Sequence, residues 1–185
     1  MNEVILALAK AAILVALNQP VEYDIEDALQ TFPLLAEQGA SFVTLTTGSN
    51  ESLRGCIGSL EAHGPLYQDI ISNAQAAALR DPRFQPLSIN ELQNITIEVS
   101  ILSKRQTISY TDTKDLKQHI TPFEDGVILN LNGKKATYLP QVWEQLPRFE
   151  DFFNSLCLKA NLDQNCLMQH PQISVYRVKT YKESK

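Results

Sequence analysis

Apolar residues recur along the chain in two rhythms, one near every third or fourth position and one at every second, and each predicts an element. Val4 to Leu17 is apolar except for Lys10, a core helix that Asn2 caps and that Asn18, Gln19 and Pro20 end. A second helix is expected from Glu26 to Ala36, with Pro33 kinking or splitting it and Gly39 closing it. Ser41 to Thr47 and Ser52 to Leu60 favour strands, and Gly48, Ser49 and Asn50 between them make a hairpin. Gly64-Pro65 opens a helix to Leu79, and Ser88-x-x-Glu91 matches a capping box for a short one. Ile95, Ile97, Val99 and Ile101 alternate with Thr96, Glu98, Ser100 and Leu102, so this strand has one aliphatic and one largely polar face.

Asp112 to Ile120 reads as another short helix. Val127 to Leu131 and Lys134 to Leu139 flank Asn132-Gly133, a dipeptide suited to a tight turn with positive φ at both central residues. Leu139 to Leu146 looks helical around Trp143, and Phe149, Phe152, Phe153, Leu156 and Cys157 form a helical stripe best read as core. A last strand is expected from Ile173 to Tyr181. Hairpins outnumber strand-helix-strand units, which predicts an α+β fold with an antiparallel or mixed sheet and flanking helices.

Composition narrows the function. The 185 residues are 44% hydrophobic and 20% charged, as in a globular protein, and the length suits one domain over residues 1–185, with or without a smaller inserted lobe. A net charge of −5 with no cluster of Lys and Arg argues against nucleic acid as a partner. The first apolar run has Glu3 where a signal peptide has basic residues, and it is too short to span a bilayer, so no membrane partner is expected. Cys56, Cys157 and Cys166 form no Cys-x-x-Cys pair and suggest no disulfide framework, which fits a reducing cytoplasm. His119 and His170 lack metal-ligand spacing, and no nucleotide or hydrolase motif occurs, so neither a metal nor a cofactor is implied.

The densest unusual string is Leu53-Arg54-Gly55-Cys56-Ile57-Gly58. In a strand it puts Arg54, Cys56 and Gly58 on one side and Gly55 and Ile57 on the other. Two glycines so close in a strand point to a bulge or to something that approaches the backbone, a substrate included. A cationic Arg54 near Cys56 favours the thiolate, which permits a reactive cysteine; the plainer reading is a small buried hydrophobe. Glu98 on the polar face of a central strand can act as a general base or hold Arg54, or be an ordinary solvated strand residue. His63, seven residues beyond Cys56, can in principle pair with the thiol, although a loop histidine is more often at the surface. Asp81-Pro82-Arg83-Phe84 reads equally well as a recognition loop or as a packed turn.

Taken in order, Leu53 to Gly58, Asp81-Pro82-Arg83-Phe84, Ile97-Glu98-Val99-Ser100 and Leu139-Pro140-Gln141-Val142-Trp143-Glu144 resemble the AMMECR domain family, whose prokaryotic members are called protein A of the AmmeMemoRadiSam system. The likeness runs from about Phe42 to Ala160 and more loosely to both ends. Where the family usually has a Trp-containing segment before the last strand, this chain has Cys166-Leu167-Met168-Gln169-His170, so nothing is carried over there. The resemblance implies two unequal lobes, a site to which Leu53 through Gly58 contribute, and association with a radical S-adenosylmethionine protein and a Memo-type protein. It supplies no reaction. Two functions follow as expectations. In an enzyme or enzyme-assisting subunit, Cys56 and Glu98 are catalytic and Arg54, Gly55, Gly58 and His63 meet the substrate. In a non-catalytic adaptor, the motif strand and the Asp81 to Phe84 loop bind a partner protein, with Arg54 and Phe84 as anchors.

Overall fold

The structure, a computed structural model, describes residues 2–184 apart from the side chain of Asn2, so the expected cap at Asn2 lies outside the described part. The chain forms two compact units. One takes the residues up to Leu102 together with those from Lys179 on, and the other takes Ser103–Val178.

In the first unit, α1 (Asn2–Ala16) turns Ile5, Leu8, Ala9, Ala12 and Ile13 inward at helical spacing and leaves Lys10 exposed. It stops where Asn18 adopts a positive φ of 56°. Helix α2 (Ile25–Thr31) is capped by Asp24, whose side chain accepts from the amides of Glu26 and Asp27. Pro33 splits the helix expected there: a separate 3-10 turn runs over Pro33–Ala36, because proline brings no amide for the preceding ladder. Gly39 does not close it. The turn ends at Glu37 in extended backbone, and Gly39 instead leaves room for the Leu66 side chain, which an added Cβ would meet at 2.9 Å.

Strands β1 (Ala40–Thr47) and β2 (Ser52–Gly58) make the first hairpin, and β1 pairs on its other side with β3 (Ile95–Leu102), both antiparallel. The end of the last strand, β7 (Gln172–Lys182), lies beyond β3, where Ser100 Oγ is 3.0 Å from Thr180 Oγ1 and the Glu183 amide donates to the Ile97 carbonyl. Helices α1 and α3 (Leu66–Leu79) pack on the face that carries Val43, Leu45, Ile97 and Val99. Alanines at 74, 76, 77 and 78 let α3 come close to the sheet. Short α4 (Ile89–Leu92) carries the capping box, with the Ser88 amide and hydroxyl both donating to Glu91.

The second unit is also antiparallel: β7 lies between β5 (Asp125–Leu131) and the short β4 (Gln106–Ile108), and β5 pairs with β6 (Lys134–Tyr138). Strand β4 was not expected from the sequence. The turn between β5 and β6 has φ of 52° at Asn132 and 83° at Gly133, as that dipeptide predicts. Helix α5 (Thr113–His119) starts at an Asp112 cap, and α6 (Val142–Gln145) and α7 (Phe149–Lys159) fill the core. There Trp143 stacks on Phe152 at 3.6 Å between ring centroids, and its Nε1 donates to the Asp125 carbonyl.

One expectation is overturned in this unit. Cys157 on α7 and Cys166 in a 3-10 turn (Cys166–Gln169) form a disulfide, both fully buried, with Cα atoms 5.8 Å apart. The chain doubles back through Asn161, whose φ is 55°, and packing of the turn on α7 brings the sulfurs together. Nothing in a spacing of nine announces that return, and the cysteine argument for a reducing compartment lapses with it.

Candidate functional site

The register of β1 decides which motif residues meet. Leu45 pairs with Gly55, but Thr46 pairs with Leu53, so Arg54 is an extra residue in a bulge. Beyond it the alternation is regular: Ile57 pairs with Val43 and Gly55 with Leu45 on the core face, while Cys56 pairs with Thr44 and Gly58 with Phe42 on the other. Thr44 in turn pairs with Glu98 of β3. Cys56, Thr44 and Glu98 therefore form one row across three strands, each half-buried. Two strand spacings put the backbone of Glu98 about 10 Å from that of Cys56, with Thr44 between them. The Thr44 hydroxyl donates to Cys56 Sγ at 3.3 Å. The rest of the polar face of β3 is more covered than its sequence suggests, since Thr96 and Ser100 are buried.

The two motif glycines are filled from within the chain. A Cβ on Gly55 would sit 2.2 Å from the Ala77 carbonyl oxygen of α3, and one on Gly58 would sit 2.2 Å from the Phe42 ring. These are the close approaches that paired glycines in a strand imply. His63 lies exposed in the turn before α3.

The bulge sends Arg54 away from the thiol. Its Nε donates to Glu91 at 2.9 Å, Nη2 donates to Glu91 and to the Gln85 carbonyl, and the side chain is only 13% exposed. Arg54, followed by Ser88, holds the Glu91 carboxyl down to about 2 from its ordinary 4.5. The cation beside Cys56 is Arg83. Strand β2 is an edge strand, and its outward polar groups at Cys56 find side chains instead of a neighbouring strand. The Cys56 amide donates to Asp81 Oδ2 at 2.8 Å, and Arg83 Nη2 donates to the Cys56 carbonyl at 3.2 Å. Arg83 also grips Asp81 with Nε at 2.9 Å and Nη2 at 2.7 Å. These hydrogen bonds, the Arg83 side chain first, hold the buried Asp81 carboxyl well below the usual carboxylate range. The Phe84 ring is near both guanidinium groups, with its centroid 5.9 Å from that of Arg54 and 5.5 Å from that of Arg83. The Asp81 to Phe84 loop thus clamps the motif strand at its cysteine.

At the far end of the row stands Lys182, two residues beyond the Thr180 that meets Ser100. Its Nζ is 2.6 Å from Glu51, and that contact first, then the charge of Glu98, hold the ammonium above the ordinary lysine range. An open groove of about 670 Å³, lined by Leu6, Lys10, Thr96, Lys182 and Glu183 among others, begins here; Cys56 is not in its lining. Sequence reasoning missed Thr44, Lys182, and the attachment of Asp81 and Arg83 to the Cys56 backbone. The alternation of Phe42, Thr44 and Thr46 with Val43 and Leu45 was a usable signal for the first, but the others depend on tertiary register.

A two-unit antiparallel α+β fold with a clamped cysteine on an edge strand defines the class of protein. The chain belongs to the AMMECR1 family, whose profile matches residues 6–182. The protein LS215_2104 of Saccharolobus islandicus is 41% identical over 146 residues, which are 75% of this chain and 63% of that protein. SSO0193 of Saccharolobus solfataricus is 40% identical over 162 residues, 83% of this chain and 70% of that protein. This chain therefore spans less than two thirds of the length of the first of these relatives. A crystal structure titled as uncharacterized protein PH0010 from Pyrococcus horikoshii shares the fold, with a TM-score of 0.81 at 29% identity over 99% of this chain and 91% of that one. Among the described residues no helix is long and apolar enough to cross a membrane.

Proposed function

We propose that Cys56 is the nucleophile of an enzyme or enzyme-assisting site, with Thr44 and Glu98 handling its proton. One observation carries this reading. A free, half-buried thiol has its own amide and carbonyl both held by the Asp81 and Arg83 side chains, and its sulfur accepts from a threonine that lies between it and a carboxylate. A nucleophile needs such fixed placement, because orientation supplies a large part of a rate enhancement. In the step envisaged, Sγ forms a bond to an electrophilic carbon and the leaving group departs with its electron pair. With the Thr44 hydroxyl turned to accept from the thiol, in place of the donation it makes at rest, the thiol proton passes through that hydroxyl to Glu98, its neighbour on β3. Arg54, expected to stabilise the thiolate, is engaged by Glu91, and this also weakens the adaptor alternative, which needs Arg54 as an exposed anchor.

Action beside a radical S-adenosylmethionine protein and a Memo-type protein is part of this proposal and is supported by the family resemblance alone. A cytoplasmic location is likewise proposed, and the disulfide is compatible with it because both of its cysteines are shielded from dissolved thiols. The test is alkylation by iodoacetamide from about pH 6 to about 9 under non-reducing conditions, with glutathione as the reference thiol. Cys56 should react faster than glutathione, and Thr44→Val and Glu98→Gln should each slow it. A rate at or below that of glutathione, unmoved by both variants, defeats the proposal.

A further inference from the structure

The cation next to the thiol is built to receive something. Both oxygens of Asp81 are occupied: Oδ1 accepts from the Arg83 amide and Nε, and Oδ2 from the Cys56 amide and Arg83 Nη2. Arg83 therefore presents to solvent the positive end of a pair whose negative end is buried, with side-chain exposures of 53% and 2%. The guanidinium also faces the Cys56 thiol, which adds to the contacts holding Arg83 charged, and the Phe84 ring and the Cys56 carbonyl fix the plane of the group. A guanidinium held this rigidly loses little freedom when it binds an anion. Farther along the row Glu98 stands two strands away, with Lys182 and its partner Glu51 beyond it, so Arg83 is the cation that adjoins the sulfur. From Arg83 the row runs guanidinium, sulfur, hydroxyl, carboxylate and ammonium.

From this arrangement we infer that the Cys56 site takes a small molecule with a carboxylate beside its electrophilic carbon, the carboxylate meeting Arg83 while the carbon faces Sγ. A single negative charge suits the site better than a dianion, since Asp81 offsets part of the Arg83 charge and Glu98 lies in the same row. The inference rests on the reading of Cys56 as a nucleophile and adds the substrate class to it.

Two alkylating agents that differ only in charge separate the two ideas. Iodoacetate carries a carboxylate beside the reacting carbon, and iodoacetamide carries a neutral amide there. The quantity to measure is the ratio of their rate constants at Cys56, divided by the same ratio for glutathione. A unit charge about 4 Å from a guanidinium in water changes the local concentration of an anion about fivefold, and Asp81 reduces this, so the normalised ratio should be about threefold above one. It should return to about one in Arg83→Gln and, in the unmodified protein, as salt rises from about 0.01 to about 1 M and the screening length shrinks from about 30 to about 3 Å. The salt series decides the matter if the Arg83→Gln chain does not fold. A normalised ratio of one that salt does not alter, at a Cys56 that reacts well with both agents, overturns the substrate class and leaves the nucleophile standing. A Cys56 slow toward both agents overturns the two together.

Discussion

Replacing Gly55 with alanine tests whether the motif glycine is required by packing. The added Cβ would lie 2.2 Å from the carbonyl oxygen of Ala77 and 3.1 Å from its carbonyl carbon, both backbone atoms of α3. Carbon and oxygen approach no closer than about 3.3 Å even in weak C–H···O contacts, so helix and strand must separate by about 1 Å. No flexible side chain can yield instead. Overpacking a tight core costs about 1 to 3 kcal/mol, and a backbone-on-backbone clash belongs at the upper end. Alanine recovers up to about 1 kcal/mol because it loses less chain entropy than glycine in a strand. The clash wins by about 2 kcal/mol, which in a chain of this size lowers the melting temperature by about 4 to 8 °C. Thermal unfolding followed by circular dichroism measures it. Gly64→Ala is the control, because its Cβ would meet only the end of the Gln68 side chain, at 3.5 Å. A Gly55→Ala protein that melts within about a degree of the unmodified chain would show that α3 does not press on β2 as described.

Three further outcomes are expected. Without reductant, the denatured chain should expose one titratable thiol to Ellman's reagent, Cys56; three would show that Cys157 and Cys166 are not joined. Breaking that bond with Cys166→Ser opens a loop with a sequence separation of nine and should cost about 2.5 kcal/mol, read as a lower urea midpoint, and an unchanged midpoint contradicts it. Glu91 titrates lower in the folded chain than its ordinary 4.5, at about 2, so the unfolded chain binds more protons between those values. Its contribution is therefore complete above about 4.5 and is lost as pH falls toward 2, with Asp81 adding a loss of the same sign below its ordinary 3.8; melting temperatures across this range should fall less steeply in Glu91→Gln, and equal slopes refute the Arg54 pairing.

The particular elements show where local reasoning reached its end. Asn132-Gly133 and Ser88-x-x-Glu91 gave the right structures because a positive φ pair and a reciprocal cap are properties of four or fewer neighbouring residues. Gly55 and Gly58 announced close approach correctly without revealing what approached. Arg54 misled, since strict alternation aimed it at the face of Cys56, and a one-residue bulge opposite Leu45 and Thr46 turned it to Glu91. Cys157 and Cys166 misled in the other direction, because a disulfide depends on where two chain segments pack and leaves no periodic trace.

The identities of four short motifs carried the family resemblance, and the order of apolar and polar residues was sufficient by itself for the α+β class, both hairpins and the aromatic core around Trp143. These follow from short-range sterics and from burial of one face of each element. Tertiary structure alone decided that Thr44 lies between Cys56 and Glu98, that Arg83 rather than Arg54 stands beside the thiol, and that one pair of cysteines closes. Each of those depends on which residue of one strand or loop lies opposite which residue of another. That register is set by the packing of α3 and α7 and by a single bulge, which a linear pattern of periods does not contain.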